Sequence, residues 1–424
     1  MKTELADFIK DTPAGREADA ILRKCVHCGF CNATCPTYQL LGDELDGPRG
    51  RIYLIKEALE GKPVSASTQL HLDRCLTCRN CETTCPSGVE YGRLVDIGRA
   101  VVDAKVPRPL KQRAIRGLLA FALPRRALFA ALLSVGRLAR LLLPAALAQK
   151  LPPQGTRFTQ LPVPRHARRM LVLAGCVQPS LAPETNEAAA RLLDRIGISL
   201  IEAFSAGCCG ALRYHLDYQE QGLADMRRLI DVWWPAIERN EIEAIVMTAS
   251  GCGATVKDYG RLLAHDPVYR DKAERVSAMT RDLSEVLTAE REALSGLIKG
   301  RVAPSPVRAA FHAPCTLQHG QKLRGGIEAL LADAGFELTP VPDAHLCCGS
   351  AGTYSILQPE LSQQLRDNKL AALHSGGPQV VLTANIGCQS HLGSGAGSVG
   401  SVGKPGAVPV RHWITALEER LAAG

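Results

Sequence analysis

An α+β protein, made of a small helical domain followed by two copies of an α/β unit, is the fold that three features of the sequence predict. Eight of the 16 cysteines lie in two identical runs between Cys25 and Cys85. The other eight fall into two sets of four with the same internal spacing. Around each later set, apolar strand-like runs alternate with helical stretches.

Length and composition bound the rest. With 424 residues, 46% of them hydrophobic and 22% charged, the chain can bury two or three cores and is not disordered. Met1 to Ala20 carries Lys2, Glu4, Asp7, Lys10, Asp11, Arg16, Glu17 and Asp19 and so lacks the apolar stretch of a secretory signal, which predicts a cytoplasmic location. In a reducing compartment 16 cysteines point to metal or redox chemistry rather than disulfides.

Residues 25–36 read CVHCGFCNATCP and residues 75–86 read CLTCRNCETTCP. Both are CxxCxxCxxxCP. In this pattern three cysteines wrap one [4Fe-4S] cluster and the fourth, just before proline, reaches the other cluster. The predicted ligands are therefore crosswise: Cys25, Cys28, Cys31 and Cys85 for one cluster, and Cys75, Cys78, Cys81 and Cys35 for the other, as in two-cluster ferredoxins. Structural zinc would use two separated cysteine pairs, whereas each run here supplies four cysteines. His27 lies inside the first loop and reads as a surface or neighbouring residue, because three cysteines already serve that cluster. Pro48 to Gly61 reads as a linking helix, and Arg93 to Ala104 as the helix that closes a domain spanning 1–104. Two clusters in so small a unit serve one-electron steps.

The net charge of +8 is unevenly placed. Lys105 to Arg169 holds 14 Lys or Arg and no Asp or Glu, leaving 36 basic against 42 acidic residues elsewhere. Within this segment, residues 110–150 are rich in Leu and Ala, interrupted by arginines and by Pro124 and Pro144, and no apolar run reaches the length of a membrane span. Two readings stand side by side: a helix in the headgroup region of an anionic membrane, or helices packed on the protein's own domains or on a partner. Nucleic acid is not an expected partner, because aromatic stacking residues are not interleaved with the basic ones. Leu151 to Pro164 reads as a proline-rich linker, closing a segment that spans 105–169.

The later cysteines are Cys176, Cys208, Cys209 and Cys252, then Cys315, Cys347, Cys348 and Cys388. In both sets the adjacent pair begins 32 positions after the first cysteine, the pair precedes glycine (Gly210, Gly349), and the fourth cysteine follows glycine (Gly251, Gly387). This is a duplication, with halves at 170–300 and 301–424. Strands at 170–175, 243–249, 307–311 and 379–385 lead into the cysteines, so four thiols converge at the carboxyl ends of strands in each half. Each tetrad is a candidate metal site. His312, three residues before Cys315, reads as a capping or surface histidine that could tune that site.

Two ferredoxin-type runs followed by two CCG-type cysteine-rich domains resemble the iron–sulfur subunits of glycolate oxidase (glycolate dehydrogenase), within the wider heterodisulfide-reductase-related family. The stretch HCGFCNATCPTYQLLGDELDGPRGRIYLIK, residues 27–56, carries the resemblance to the glycolate branch. The resemblance implies an electron-carrying subunit of a complex whose flavin (FAD) subunits oxidise glycolate, or D-lactate, and pass electrons to a quinone-type acceptor, at the cytoplasmic face of the inner membrane. The shared layout also fits the corresponding subunit of anaerobic glycerol-3-phosphate dehydrogenase or a lactate dehydrogenase, and a heterodisulfide-reductase-like thiol catalyst. Heterodisulfide reductase relatives carry a fifth cysteine three positions after the fourth; here those positions are Thr255 and His391. Their noncubane clusters are therefore not carried over, and each tetrad is left with an ordinary cluster, a zinc ion or nothing. No residue of the chain is read as catalytic.

Overall fold

The computed structural model describes residues 1–139, 161–298, 305–396 and 408–422. The N-terminal part is built twice over. A helix precedes each cysteine run, Pro13–Lys24 and Ala66–Asp73, and a short helix lies within each run, Phe30–Ala33 and Asn80–Thr84. Thr12 caps the first helix through Gly15 N–H, and Ser65 with Thr68 forms a capping box on the second. The linking and closing helices are Pro48–Leu59 and Tyr91–Lys105. Ile55, Leu59, Leu94 and Val95 from them meet Leu22 and Leu72 in one core that reaches Cys25, Cys75 and Cys81.

The basic segment forms helices Leu110–Ala122 and Arg126–Leu138, broken at Pro124 and bent by 111°. No single helix among the described residues is long and apolar enough to cross a membrane, although this bent pair passes by length and composition together. Pro144 and most of the predicted linker lie outside the described residues.

Two four-stranded parallel sheets follow, ordered β2-β1-β3-β4 and β6-β5-β7-β8. The first holds β1 (Arg168–Val172), β2 (Ile198–Glu202), β3 (Ala244–Met247) and β4 (Thr280–Asp282). The second holds β5 (Val307–His312), β6 (Phe336–Leu338), β7 (Val380–Thr383) and β8 (Val410–His412). All of β3 and β7 is buried, as expected of parallel strands covered on both faces.

The halves exchange their last helices. Leu283–Ala289, after β4, packs on Gly326–Asp333 of the second half, while Trp413–Ala422, after β8, packs on Glu184–Arg195 of the first. Leu192, Val246, Leu287, Leu331, Leu382 and Trp413 consequently share a single core. His412 Nε2 donates to Thr248 O (2.9 Å) across the same boundary.

Candidate metal centres

In each N-terminal run the backbone turns left-handed at matched positions, His27 (φ 58°) and Gly29 (φ 85°), then Thr77 (φ 51°) and Arg79 (φ 59°). These turns curl each CxxCxxC loop around a point, and the helix Phe30–Ala33 packs against Asn80–Thr84. The fourth cysteine of each run is thereby carried to the other loop. Cys25, Cys28, Cys31 and Cys85 border one cleft, walled by Ile52 and Val89, which Cys81 of the second run also lines. Burial, with Cys25, Cys28 and Cys85 nearby, pushes the Cys31 thiol up to about 11. Cys81 is raised by burial and by its neighbours Cys78, Cys75 and Cys35, the members of the second predicted set.

Buried cations stand beside these thiols. Arg51, 1% exposed, places Nη1 3.9 Å from Cys35 Sγ while Nε donates to His71 O (2.7 Å). Its partner Asp46 is fully buried and also receives Arg74 Nη1 (2.8 Å). Arg99 donates through Nη2 to the carbonyls of Leu72 and Cys75, both at 2.7 Å. Eight convergent thiols, apolar walls and buried guanidinium groups fit iron–sulfur clusters, whose thiolate shells carry negative charge.

In the repeated halves the CCG sequence has a geometric cause. Gly210 (φ 82°) and Gly349 (φ 86°) turn the chain just after each cysteine pair, and a Cβ there would lie 2.5 Å from Gly222 O or 2.6 Å from Ser362 O. The turn seats both adjacent thiols at the end of the sheet. Cys176 and Cys209 both contact Cys208 and hold its thiol well below the ordinary range, and Cys209 also contacts Cys252. The second tetrad is wholly buried, and its thiols contact one another in the order Cys315, Cys347, Cys348, Cys388. Cys315 also contacts Cys78, so this tetrad is continuous with an N-terminal cysteine set. Lys369 lies close to these thiols; burial lowers its pKa, and Nζ donates to Asp343 O (2.7 Å).

His312 corrects the sequence reading of a capping or surface residue. It is 2% exposed, at the end of β5 opposite Thr383 of β7, with Nδ1 3.0 Å from Thr383 Oγ1. One of its ring nitrogens lies within 4.8 Å of the sulfurs of Cys348 and Cys388. Burial lowers its pKa to about 3, so the ring is neutral. The positions of the missing fifth cysteines have structural uses: Thr255 Oγ1 donates to Gly251 O (3.1 Å), and His391 Nε2 meets Ser362 Oγ (3.2 Å).

The halves clasp the N-terminal part through Arg79–Asp258 (2.7 Å), His215–Asp96 (3.2 Å) and Thr83–His319 (3.0 Å). The basic helices are strapped down in the same way. Arg108 and Arg116 both bind Asp73 and Asp217, and Arg126 binds Glu202. These three arginines therefore meet carboxylates of their own chain rather than lipid phosphates. Leu110, Leu118, Phe121, Leu132, Val135 and Leu138 remain 51–84% exposed on the outside.

An iron–sulfur protein, in which a dicluster domain is joined to a duplicated cysteine-rich unit, is the class that this fold and these sites define. Residues 21–89 match the 4Fe-4S dicluster domain, and residues 170–257 and 309–393 match the cysteine-rich domain. The chain is 56% identical over 422 residues to the "Glycolate oxidase iron-sulfur subunit" of Escherichia coli (strain K12), with 99% of both chains covered. It is 29% identical over 415 residues to the "Probable glycolate oxidase iron-sulfur subunit" of Bacillus subtilis (strain 168), covering 91% of this chain and 92% of that one. It is 27% identical over 245 residues to "Lactate utilization protein A" of an Exiguobacterium species, covering 58% of this chain and 94% of the relative. The chain belongs to the family of glycolate oxidase iron-sulfur subunits.

Proposed function

We propose that this chain is the electron-carrying subunit of a glycolate dehydrogenase complex, standing between flavin subunits that oxidise glycolate to glyoxylate and a quinone-type acceptor. The supporting observation is a continuous series of thiols. It begins at Cys28, exposed and flanked by Val26 (69% exposed) and Phe30 (61%), and runs through both N-terminal sets to Cys78, which touches Cys315 at the edge of the buried second tetrad. Its exposed apolar rim suits the docking of a partner subunit, and its buried end lies deep between the parts of the chain.

Cys25, Cys28, Cys31 and Cys85 hold one [4Fe-4S] cluster, and Cys75, Cys78, Cys81 and Cys35 hold the other. The bound clusters supply one-electron transfer. The chain's own residues fix the thiols on short, strained loops, exclude water with Ile52 and Val89, and place Arg51 and Arg99 where they offset negative charge. The tetrads Cys176/Cys208/Cys209/Cys252 and Cys315/Cys347/Cys348/Cys388 are further metal sites. The parts divide at 1–104, 105–169, 170–300 and 301–424, the last two bound by their exchanged helices. The exposed apolar face of the helices Leu110–Ala122 and Arg126–Leu138 makes peripheral contact with the cytoplasmic membrane surface.

Anaerobic co-purification with neighbouring subunits, followed by assays of glycolate, D-lactate and glycerol-3-phosphate with an artificial acceptor, tests the reading. Glycolate-dependent turnover is expected. Activity confined to glycerol-3-phosphate would overturn it. Iron analysis should give about eight iron atoms per chain from the N-terminal clusters.

A further inference from the structure

We propose that the second cysteine-rich half holds a single metal ion ligated by His312 Nε2 together with the thiolates of Cys348 and Cys388. The proposal deepens the reading of this tetrad as a metal site and rests on it. A ring nitrogen of His312 and the sulfurs of Cys348 and Cys388 lie within 4.8 Å of one another, and all three residues are buried. Tetrahedral zinc, with bonds of about 2.3 Å to sulfur and about 2.0 Å to nitrogen, brings ligand atoms to such mutual distances. A cubane instead carries its thiolates on separate corner irons and asks for a wider set.

His312 is presented as a ligand would be. Its Nδ1 is occupied at 3.0 Å by Thr383 Oγ1, whereas Nε2 is buried and has no hydrogen-bond partner among the described residues. A Nδ1–H donated to Thr383 leaves the Nε2 lone pair facing the sulfurs, the arrangement by which a second hydrogen bond fixes a metal-binding histidine. An empty pocket of this kind would leave a buried polar atom unsatisfied, which is unfavourable.

The duplication supplies an internal control. Counted from the cysteines, His312 and Thr383 correspond to Leu173 and Met247 in the first half, both buried in its apolar core. The imidazole and its supporting hydroxyl therefore occur together in one half and are replaced together in the other. Lys369 has the same asymmetry: its counterpart, by distance from the cysteine pair, is Ile230. Cys347, in contact with Cys348, supplies the fourth ligand, and Lys369 offsets the surplus negative charge of three thiolates on a divalent ion. Cys315 is left beside Cys78. With all of these groups buried, the site is closed, and imidazole plus thiolate in a closed tetrahedral set selects zinc.

Zinc analysis and zinc K-edge X-ray absorption on the anaerobically purified complex test this. About one zinc per chain beyond the cluster iron is expected, with a nitrogen scatterer at about 2.0 Å beside three sulfurs. The variant H312L, which copies the first half, should lose that zinc and keep its iron, and H312C should regain it with an all-sulfur shell. An all-sulfur shell in the natural chain overturns the role of His312 but leaves the metal site standing. Absence of any metal beyond the two N-terminal clusters, or iron in place of zinc, overturns the single-ion site itself. The natural chain's spectrum decides these outcomes even if H312L fails to fold.

Discussion

Arg51 shows how charge and cysteine chemistry are joined at a single residue. It is nearly inaccessible, touches Cys35 and Asp46, and hydrogen-bonds the backbone that leads into the second cysteine run. Replacing it with methionine removes a buried cation from the cysteine thiolates and leaves Asp46 to Arg74, a change that costs about 1–3 kcal/mol. R51M is therefore expected to unfold at lower temperature than the natural chain and to retain less iron, as read by thermal scans and iron analysis. Unchanged values would contradict the role given to the guanidinium. The crosswise pairing is tested at the same scale: C85S should reproduce the spectral loss seen in C28S, and C35S that seen in C78S. If C85S instead matched C78S, the assignment would be wrong. The cysteines were legible because spacing alone states their purpose. Arg51, Lys369 and His312 were not, because only tertiary packing decides that a charged or polar residue will be buried among thiols. In the sequence Arg51 reads as part of a helix start and His312 as a capping or surface histidine.

At the scale of elements, the apolar runs β1, β3, β5 and β7 were readable, as were the linking and closing helices. Missing from the sequence reading were β4, β6 and β8, at three residues each, and β2, which flank those strands. Such short segments carry too little periodicity to stand out from a loop, and their pairing partners, not their own residues, define them. The basic helices were legible as helices, and of the two readings left open for them packing on the chain's own domains accounts for Arg108, Arg116 and Arg126, which turn inward to carboxylates distant in sequence. What remains outside is apolar. Substituting Leu118, Phe121, Leu132 and Leu138 together with serine should leave the iron content unchanged and weaken co-sedimentation of the complex with anionic vesicles. Undiminished vesicle binding with loss of subunit association would assign this face to a partner instead.

Across the whole molecule, the exchanged helices make the two cysteine-rich halves one body, which spacing and motif could not reveal because the exchange is a matter of packing between distant segments. His412 sits on that boundary. Burial lowers its pKa to about 4, against about 6.5 for a free histidine. Its neutral form thus contributes stability that is fully present above pH ~6.5 and is lost as pH falls toward the folded value, because only the unfolded chain takes up the proton in that window. The midpoint of thermal unfolding should fall more steeply from pH 7 to 5 in the natural chain than in H412Q, and equal slopes would contradict this.

This chain conducts electrons for a partner's chemistry. The most direct test compares the natural complex with one carrying C85S, following flavin bleaching by glycolate and glycolate-dependent reduction of a soluble quinone analogue in the same anaerobic sample. Bleaching should persist in C85S while quinone reduction falls to background. Quinone reduction at the natural rate in the cluster-deficient complex would contradict it.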